Sequence, residues 1–183
     1  MILPGGNVLL DVNFILKKAQ LSDKMKIANL GCGASGHFVF PCSAIVGKKG
    51  KVYAVDILKT ILERISRQAK QENYQNIETV WSNLEIFNAT KIETASLDQA
   101  YLINILYQSH RRADILRESI RMVKKDGKIL VIEWKNIASP IGPEVEERVK
   151  QSLLEDAAKK LGLRLDEEFE AGQYHYGLIF TKL

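Results

Sequence analysis

The chain has 183 residues, 46% of them hydrophobic and 26% charged, with a formal net charge of +4. That length buries a core in one domain and leaves too little for a second of ordinary size, and no apolar run approaches the roughly 18 residues of a membrane span. Two cysteines, Cys32 and Cys42, without Cys/His spacing, argue against a disulfide scaffold or a zinc domain and suit a reducing compartment.

The N-terminal "MILPGGNVLLDVNF" has no basic stretch leading into an apolar one and no small-residue cleavage site, so a cytoplasmic protein without a secretory leader is expected. "DVNFILKKAQL" (11–21) reads as a short amphipathic helix. "KIANL" (26–30) is an apolar run that stops at glycine, a buried strand. "HFVFPCSAIVG" (37–47) follows as a helix, with Pro41 in its first turn, where a missing N–H costs little, and Gly47 closing it. "KVYAVDI" (51–57) is the next strand. "LKTILERISRQAKQEN" (58–73) is a helix with Leu58, Ile61, Leu62, Ile65 and Ala69 on one side.

"IETVW" (77–81) and "SLDQAYLINIL" (96–106) are the third and fourth strands. "RRADILRESIRMVKK" (111–125) is a helix whose C-terminal cations suit its dipole. Asp126-Gly127 makes a turn before a fifth strand, "KILVIEW" (128–134). A loop, "NIASPIGP" (136–143), leads into a helix over 144–163. "LRLDEEFE" and "YHYGLIF" are strand-like, and "AGQ" between them is short enough for an antiparallel hairpin. Alternating strands and helices imply right-handed parallel crossovers, with ligands bound beyond the carboxyl ends of the strands.

The stretch after the first strand, "NLGCGASGH", places Gly31, Gly33 and Gly36 as G-x-G-x-x-G. Asp56 ends the second strand, 20 residues after Gly36. Glycines there let backbone approach a ligand, and an acid there can accept hydrogen bonds from both hydroxyls of a ribose. Both features serve NAD, and both serve any other adenosine ligand laid across the strand ends. A dinucleotide oxidoreductase would need a further region for substrate and catalytic residues. The chain is filled by one such unit, and its antiparallel tail is foreign to the usual dinucleotide pattern.

Over residues 24–183 the sequence resembles the class I S-adenosylmethionine-dependent methyltransferases, and the order of its motifs most resembles the quinone-biosynthesis members. "NLGCGASGH" is similar to their first motif, "VYAVDI" to the second, and "VWSNLE" to the adenine-contacting segment. "LDQAYLINILYQS" is similar to the fourth motif, "MVKKDGKILVIEW" to the segment entering the fifth strand, and "GQYHYGLIF" to the antiparallel seventh strand.

The resemblance implies an α/β, Rossmann-like three-layer sandwich, with a mostly parallel seven-stranded sheet and an antiparallel last strand. It divides residues 1–183 into an N-terminal helical extension (1–25), a cofactor-binding core (26–135) and a C-terminal helix with a strand pair (136–183). It implies S-adenosylmethionine as cofactor and S-adenosylhomocysteine as product. Gly31, Cys32, Gly33 and Gly36 would hold the methionine part with Asn29. Asp56 would bind the ribose, Ile57 would cover the adenine, and Asn83 and Leu84 would meet its edge. Asn104 would lie near the transferable methyl. Asn29 and Asn83 stand where the family usually has acids, and "GASG" is one residue longer than its common G-x-G-x-G. These departures keep open an alternative reading, a non-catalytic protein of this fold that binds its ligand without turnover.

Methyl transfer from a sulfonium needs proximity and alignment, and a general base only for a protonated nucleophile. No catalytic triad is visible. Candidates around the reacting end are Tyr107, His110, Glu133 and His175, with Gln108 and Tyr174 nearby. No metal site is expected. The Asn-Pro-Pro-Tyr signature of amino-methylating nucleic-acid enzymes is absent, "INILYQ" standing in its place, so no DNA partner is expected and a small-molecule acceptor fits best. Residues 1–128 carry 19 Lys/Arg against 12 Asp/Glu, and residues 129–183 carry 7 against 10. That basic first part keeps RNA open as a substrate.

Overall fold

Residues 27–30 are buried on both sides, Ile27, Ala28 and Leu30 completely so, because this strand lies mid-sheet with helices on both faces. A computed structural model describes residues 9–183. In chain order the elements are α1 (Val12–Lys18), β1 (Lys26–Leu30), α2 (Val39–Val46), β2 (Lys51–Asp56), α3 (Lys59–Gln71), β3 (Ile77–Trp81), β4 (Leu97–Ile103), α4 (Arg112–Met122), β5 (Val123–Trp134), α5 (Gln151–Lys160), β6 (Leu163–Gly172) and β7 (His175–Lys182). The strands form one sheet in the order β3-β2-β1-β4-β5-β7-β6. β7 alone runs against its neighbours, antiparallel to both β5 and β6. Of the expected N-terminal extension 1–25, residues 1–8 lie outside the described residues.

One core holds α1, α2 and α3 against one face of the sheet, centred on Ile27, Val52, Tyr101 and Leu130. The other holds α4 and α5 against Ala28, Leu30, Leu102 and Val131. In the β6–β7 hairpin, Gly177 makes room for an aromatic ring. A Cβ there would lie 2.4 Å from the Phe169 Cζ. β1 pairs with β2 on one side and β4 on the other, so the chain reverses direction across the sheet at this point. A crevice opens at the carboxyl ends of these strands.

Two elements differ from the sequence reading. β5 starts at Val123, because Asp126-Gly127 makes its turn as an excursion inside the strand. Asp126 has φ +61°, and the pairing jumps from Leu97↔Val123 to Gln99↔Lys128. The helix expected over 144–163 is confined to Gln151–Lys160, preceded by a 3-10 turn at Val145–Glu147. Arg148 and Lys150 are extended there, and the Arg148 side chain reaches back to the carbonyls of Pro143, Lys135 and Ile137.

The connection from β3 to β4, residues 82–96, contains no helix, and the sequence reading assigned none there. A buried ion pair organises it instead. Glu118 accepts the N–H of Asn88 and Thr90 at 2.7 and 3.0 Å and receives Arg121 in a two-pronged contact at 2.9 Å. Arg121 also donates to the carbonyls of Thr90 and Ile92. Desolvation opposes the Glu118 charge, but Arg121 and the two N–H groups outweigh it and hold the pKa below the usual glutamate value. Removing one partner of such a pair leaves an uncompensated buried charge, at a cost of about 3–5 kcal/mol. Glu118→Ala should therefore lower the urea midpoint by that amount of stability, and an unchanged midpoint would show that the loop is held by other means.

Candidate active site

At the carboxyl ends of β1 and β2, the carbonyl of Val55 accepts two consecutive N–H groups, those of Gly31 (2.8 Å) and Cys32 (3.0 Å). The chain is thereby bent out of β1, with Gly31 and Gly33 at φ +75° and +66°, conformations that glycine adopts without strain. A Cβ on Gly33 would meet nothing within 4 Å, so this loop faces open space.

That space is a cavity of about 400 Å³, within the range of small-molecule sites. Gly31, Gly33, Asp56, Ile57, Asn83 and Leu84 line it, together with Leu58, Ser82, Glu85, Ile105, Gln108 and Ser109. Asp56 is only 7% exposed. Its carboxylate accepts the N–H of Gly33 at 3.2 Å and of Leu58 at 3.0 Å, so it is held at the cavity wall with acceptor capacity to spare.

Four of the residues named from sequence lie outside this lining. Gly36 packs on Phe40 and Ile65. Cys32 is buried, and desolvation, then the Asp56 charge, push its pKa up to about 12; it remains a thiol. Asn29 is 2% exposed, with an unpartnered Oδ1. Asn104 ends β4 in a left-handed conformation, φ +53°, and its Nδ2 lies 3.2 Å from Nε2 of His175, 71 residues away. Its Oδ1 has no partner.

The catalytic candidates separate. His175 is fully buried, its ring 4.1 Å from that of Trp134. Burial, then the charges of Arg148 and Lys135, push its pKa down to about 4, so the imidazole is neutral at ordinary pH. Glu133 lies on the opposite face of the sheet, in register one residue before Trp134. One of its oxygens accepts the Leu106 N–H at 2.7 Å and the other is unpartnered. It thus fixes the 3-10 turn Leu106–Gln108, which supplies Gln108 to the cavity. Tyr107 is half-buried on that turn, its pKa raised mainly by desolvation. His110 is exposed.

Sequence reasoning missed Ser82, Glu85 and Ser109 in the cavity wall, although Ser82 and Glu85 flank the named pair Asn83-Leu84. It also missed Ser109 Oγ bridging to Glu85 at 2.6 Å, a contact across 24 residues with no local signal.

Residues 10–155 match the model of the ubiE/COQ5 methyltransferase family. The chain belongs to the ubiE/COQ5 methyltransferase family. Its members are S-adenosylmethionine-dependent methyltransferases, and S-adenosylmethionine is the cofactor this chain takes. Among solved structures it resembles a SAM-dependent methyltransferase from Aquifex aeolicus, 23% identical over 96% of this chain and 91% of that one, with a TM-score of 0.87. It also resembles the PH0226 protein from Pyrococcus horikoshii OT3 (19% identical, covering 97% and 96%, TM-score 0.72). The [4+2]-cyclase SpnF shares the fold at 10% identity (93% and 80%, TM-score 0.78). No curated protein sequence matches.

The residues present fit the family's cofactor. The open space before Gly33, the spare acceptor capacity of Asp56 and the unpartnered Oδ1 of Asn29 are all features that a nucleoside with an attached amino acid would fill or satisfy. Glu133 gives this methyltransferase a pH signature. Desolvation pushes its folded pKa up to about 7, against the lowering effect of N–H groups at Leu106 and Tyr107. A carboxyl raised in the folded state binds more protons there than unfolded, so its stabilising effect is complete below about pH 4.5 and is lost as pH rises to 7. Thermal denaturation of Glu133→Gln should thus show a stability gain over wild type that grows across pH 4.5–7, to about 3 kcal/mol. A gap independent of pH would overturn the assignment.

Proposed function

We propose that this methyltransferase transfers a methyl group to a small-molecule acceptor in the cytoplasm, as one domain built of the extension 1–25, the cofactor core 26–135 and the tail 136–183. Bound S-adenosylmethionine supplies a methyl group made electrophilic by its sulfonium sulfur. The observation that carries the reading is the Asp56 carboxylate, held by Gly33 and Leu58 N–H groups at the wall of a cavity that Gly31 and Gly33 line without side chains.

Gly31, Gly33 and the backbone of Cys32 cradle the methionine part, and Asn29 Oδ1 accepts from its ammonium. Asp56 takes the ribose hydroxyls. Ile57 and Leu84 cover the adenine, with Asn83 at its edge. Asn104 faces the methyl end. Neutral acceptors at Asn29 and Asn83 hold weaker hydrogen bonds than carboxylates would, charge-assisted bonds being roughly twice as strong. Among the described residues no acid–base relay converges on the methyl end: Glu133 serves the Leu106 turn from the other face, and His175 serves Asn104.

A small acceptor is favoured over RNA by where the basic charge lies. Lys26, Lys48, Lys49 and Lys51 sit at or just before the starts of β1 and β2, and Lys124, Lys125 and Lys128 lie in the first half of β5, toward the end of the sheet opposite the cavity.

Calorimetry tests the assignment. S-adenosylmethionine and S-adenosylhomocysteine bind and NAD does not. Asp56→Ala weakens binding by about 1.5–3 kcal/mol, the loss of hydrogen bonds to a charged group. An unchanged dissociation constant would rule out the ribose role, and stabilisation by NAD alone would favour an oxidoreductase.

A further inference from the structure

Arg148 is 4% exposed, yet among the described residues no carboxylate lies within ion-pair distance of it. Its N–H groups go to neutral oxygens: the carbonyls of Lys135 (2.9 Å), Ile137 (2.7 Å) and Pro143 (2.8 and 3.0 Å), and the hydroxyl of Ser139 (2.9 Å). The guanidinium thus acts as a spool for loop 136–143. Gly142 lets that loop close on Trp134, since a Cβ there would lie 2.7 Å from the indole ring.

Carbonyl dipoles satisfy the donors but carry no net charge, so a full positive charge stays buried at this place. The nearby carboxylates do not cancel it. Glu144, Glu146 and Glu147 are exposed to solvent screening, Glu170 is paired with Lys135, and Glu133 is on the other face of the sheet. A chain of contacts leads from the charge to the methyl end. The guanidinium carbon is 5.4 Å from the Trp134 ring centre, Trp134 stacks on His175, and His175 meets Asn104. The charge is felt along that chain, being one cause of the depressed His175 pKa.

We propose that Arg148 is a specificity-determining residue: it fixes loop 136–143 as the acceptor-side wall and leaves an unneutralised positive charge there, so that the methyl acceptor is a small organic anion. The inference rests on Asn104 marking the methyl end, as in the proposed function. An acceptor that arrives ionised has no proton to give up, which suits a site without a base aimed at it.

The test uses three matched probes, benzoate, benzamide and benzylammonium, titrated onto the full-length protein with S-adenosylhomocysteine present and followed by ligand-observed NMR. Calorimetry with S-adenosylhomocysteine alone reads the cofactor assignment separately. Benzoate should bind at least tenfold tighter than benzamide, and benzylammonium should not bind. Arg148→Lys keeps the charge and loses the fork. It should keep the benzoate preference while amide exchange across 136–143 speeds up at least tenfold. Arg148→Gln should abolish the preference. Equal affinity for benzoate and benzamide in the wild type, unchanged exchange in Arg148→Lys, or a preference that survives in Arg148→Gln would each overturn the proposal. If Arg148→Gln does not fold, the wild-type ratio and Arg148→Lys still decide.

Discussion

The ligand end of the sheet depends on one carbonyl. Val55, the last residue but one of β2, accepts N–H groups from both Gly31 and Cys32. In a regular parallel ladder each carbonyl serves one partner residue and the strands continue. Here the doubled bond turns the chain away from β1 at the level where β2 ends, and Asp56 follows immediately. The next N–H, that of Gly33, is then free to reach the Asp56 carboxylate. The loop and the acid hold one another, so neither can shift without the other. That coupling explains why the glycines and the aspartate belong together although 20 residues separate Gly36 from Asp56.

Elsewhere side chains take over work that regular structure would otherwise do. The β3–β4 connection has no helix, and its backbone groups are met by Glu118 and Arg121. The segment before α5 is not helical, and Arg148 meets the carbonyls it strands. Glu133 does the same for the N–H at the start of the turn after β4. Each case follows from the cost of leaving a buried polar backbone group without a partner. One of these three devices, Glu133, holds the turn that brings Gln108 to the cavity wall. A charged side chain can hold an irregular backbone shape there that a helix could not supply.

These devices also mark how far the sequence could be read. Strand positions were legible because buried parallel strands are near-continuous apolar runs, and β1 over 26–30 is an example. The glycine loop and Asp56 were legible because the backbone geometry demands those residue types. The boundary errors fall where a distant partner decides. Residues 144–150 have a helical pattern, but Arg148 is drawn to carbonyls as far back as Lys135. Asn104 and His175 each read as isolated polar residues, and only the placement of β7 beside β5 brings them within 3.2 Å. No local pattern signals a contact across 71 residues. The family's motifs placed Asn104 near the methyl end, yet they carried no sign of Trp134 or Arg148, whose roles come from packing.

The charges at the ligand end form a consistent set once the two asparagines are counted. S-adenosylmethionine brings a sulfonium and an ammonium, offset by one carboxylate, and so carries net positive charge. The family resemblance implies acids at the positions of Asn29 and Asn83, which would cancel some of it. Here both positions are neutral, Asn29 being buried with an unpartnered oxygen, and Arg148 adds a further buried cation without a carboxylate partner. Asp56 and Glu85 are the acids that line the cavity among the described residues, and Asp56 is held there by backbone N–H groups. Asp56 and Glu85 face the cofactor's net positive charge, which leaves Arg148 as the buried cation that no carboxylate meets among the described residues. A buried charge in a medium of low polarity is costly unless an opposite charge enters. On the proposed reading, an anionic acceptor would supply it at the step where it is used.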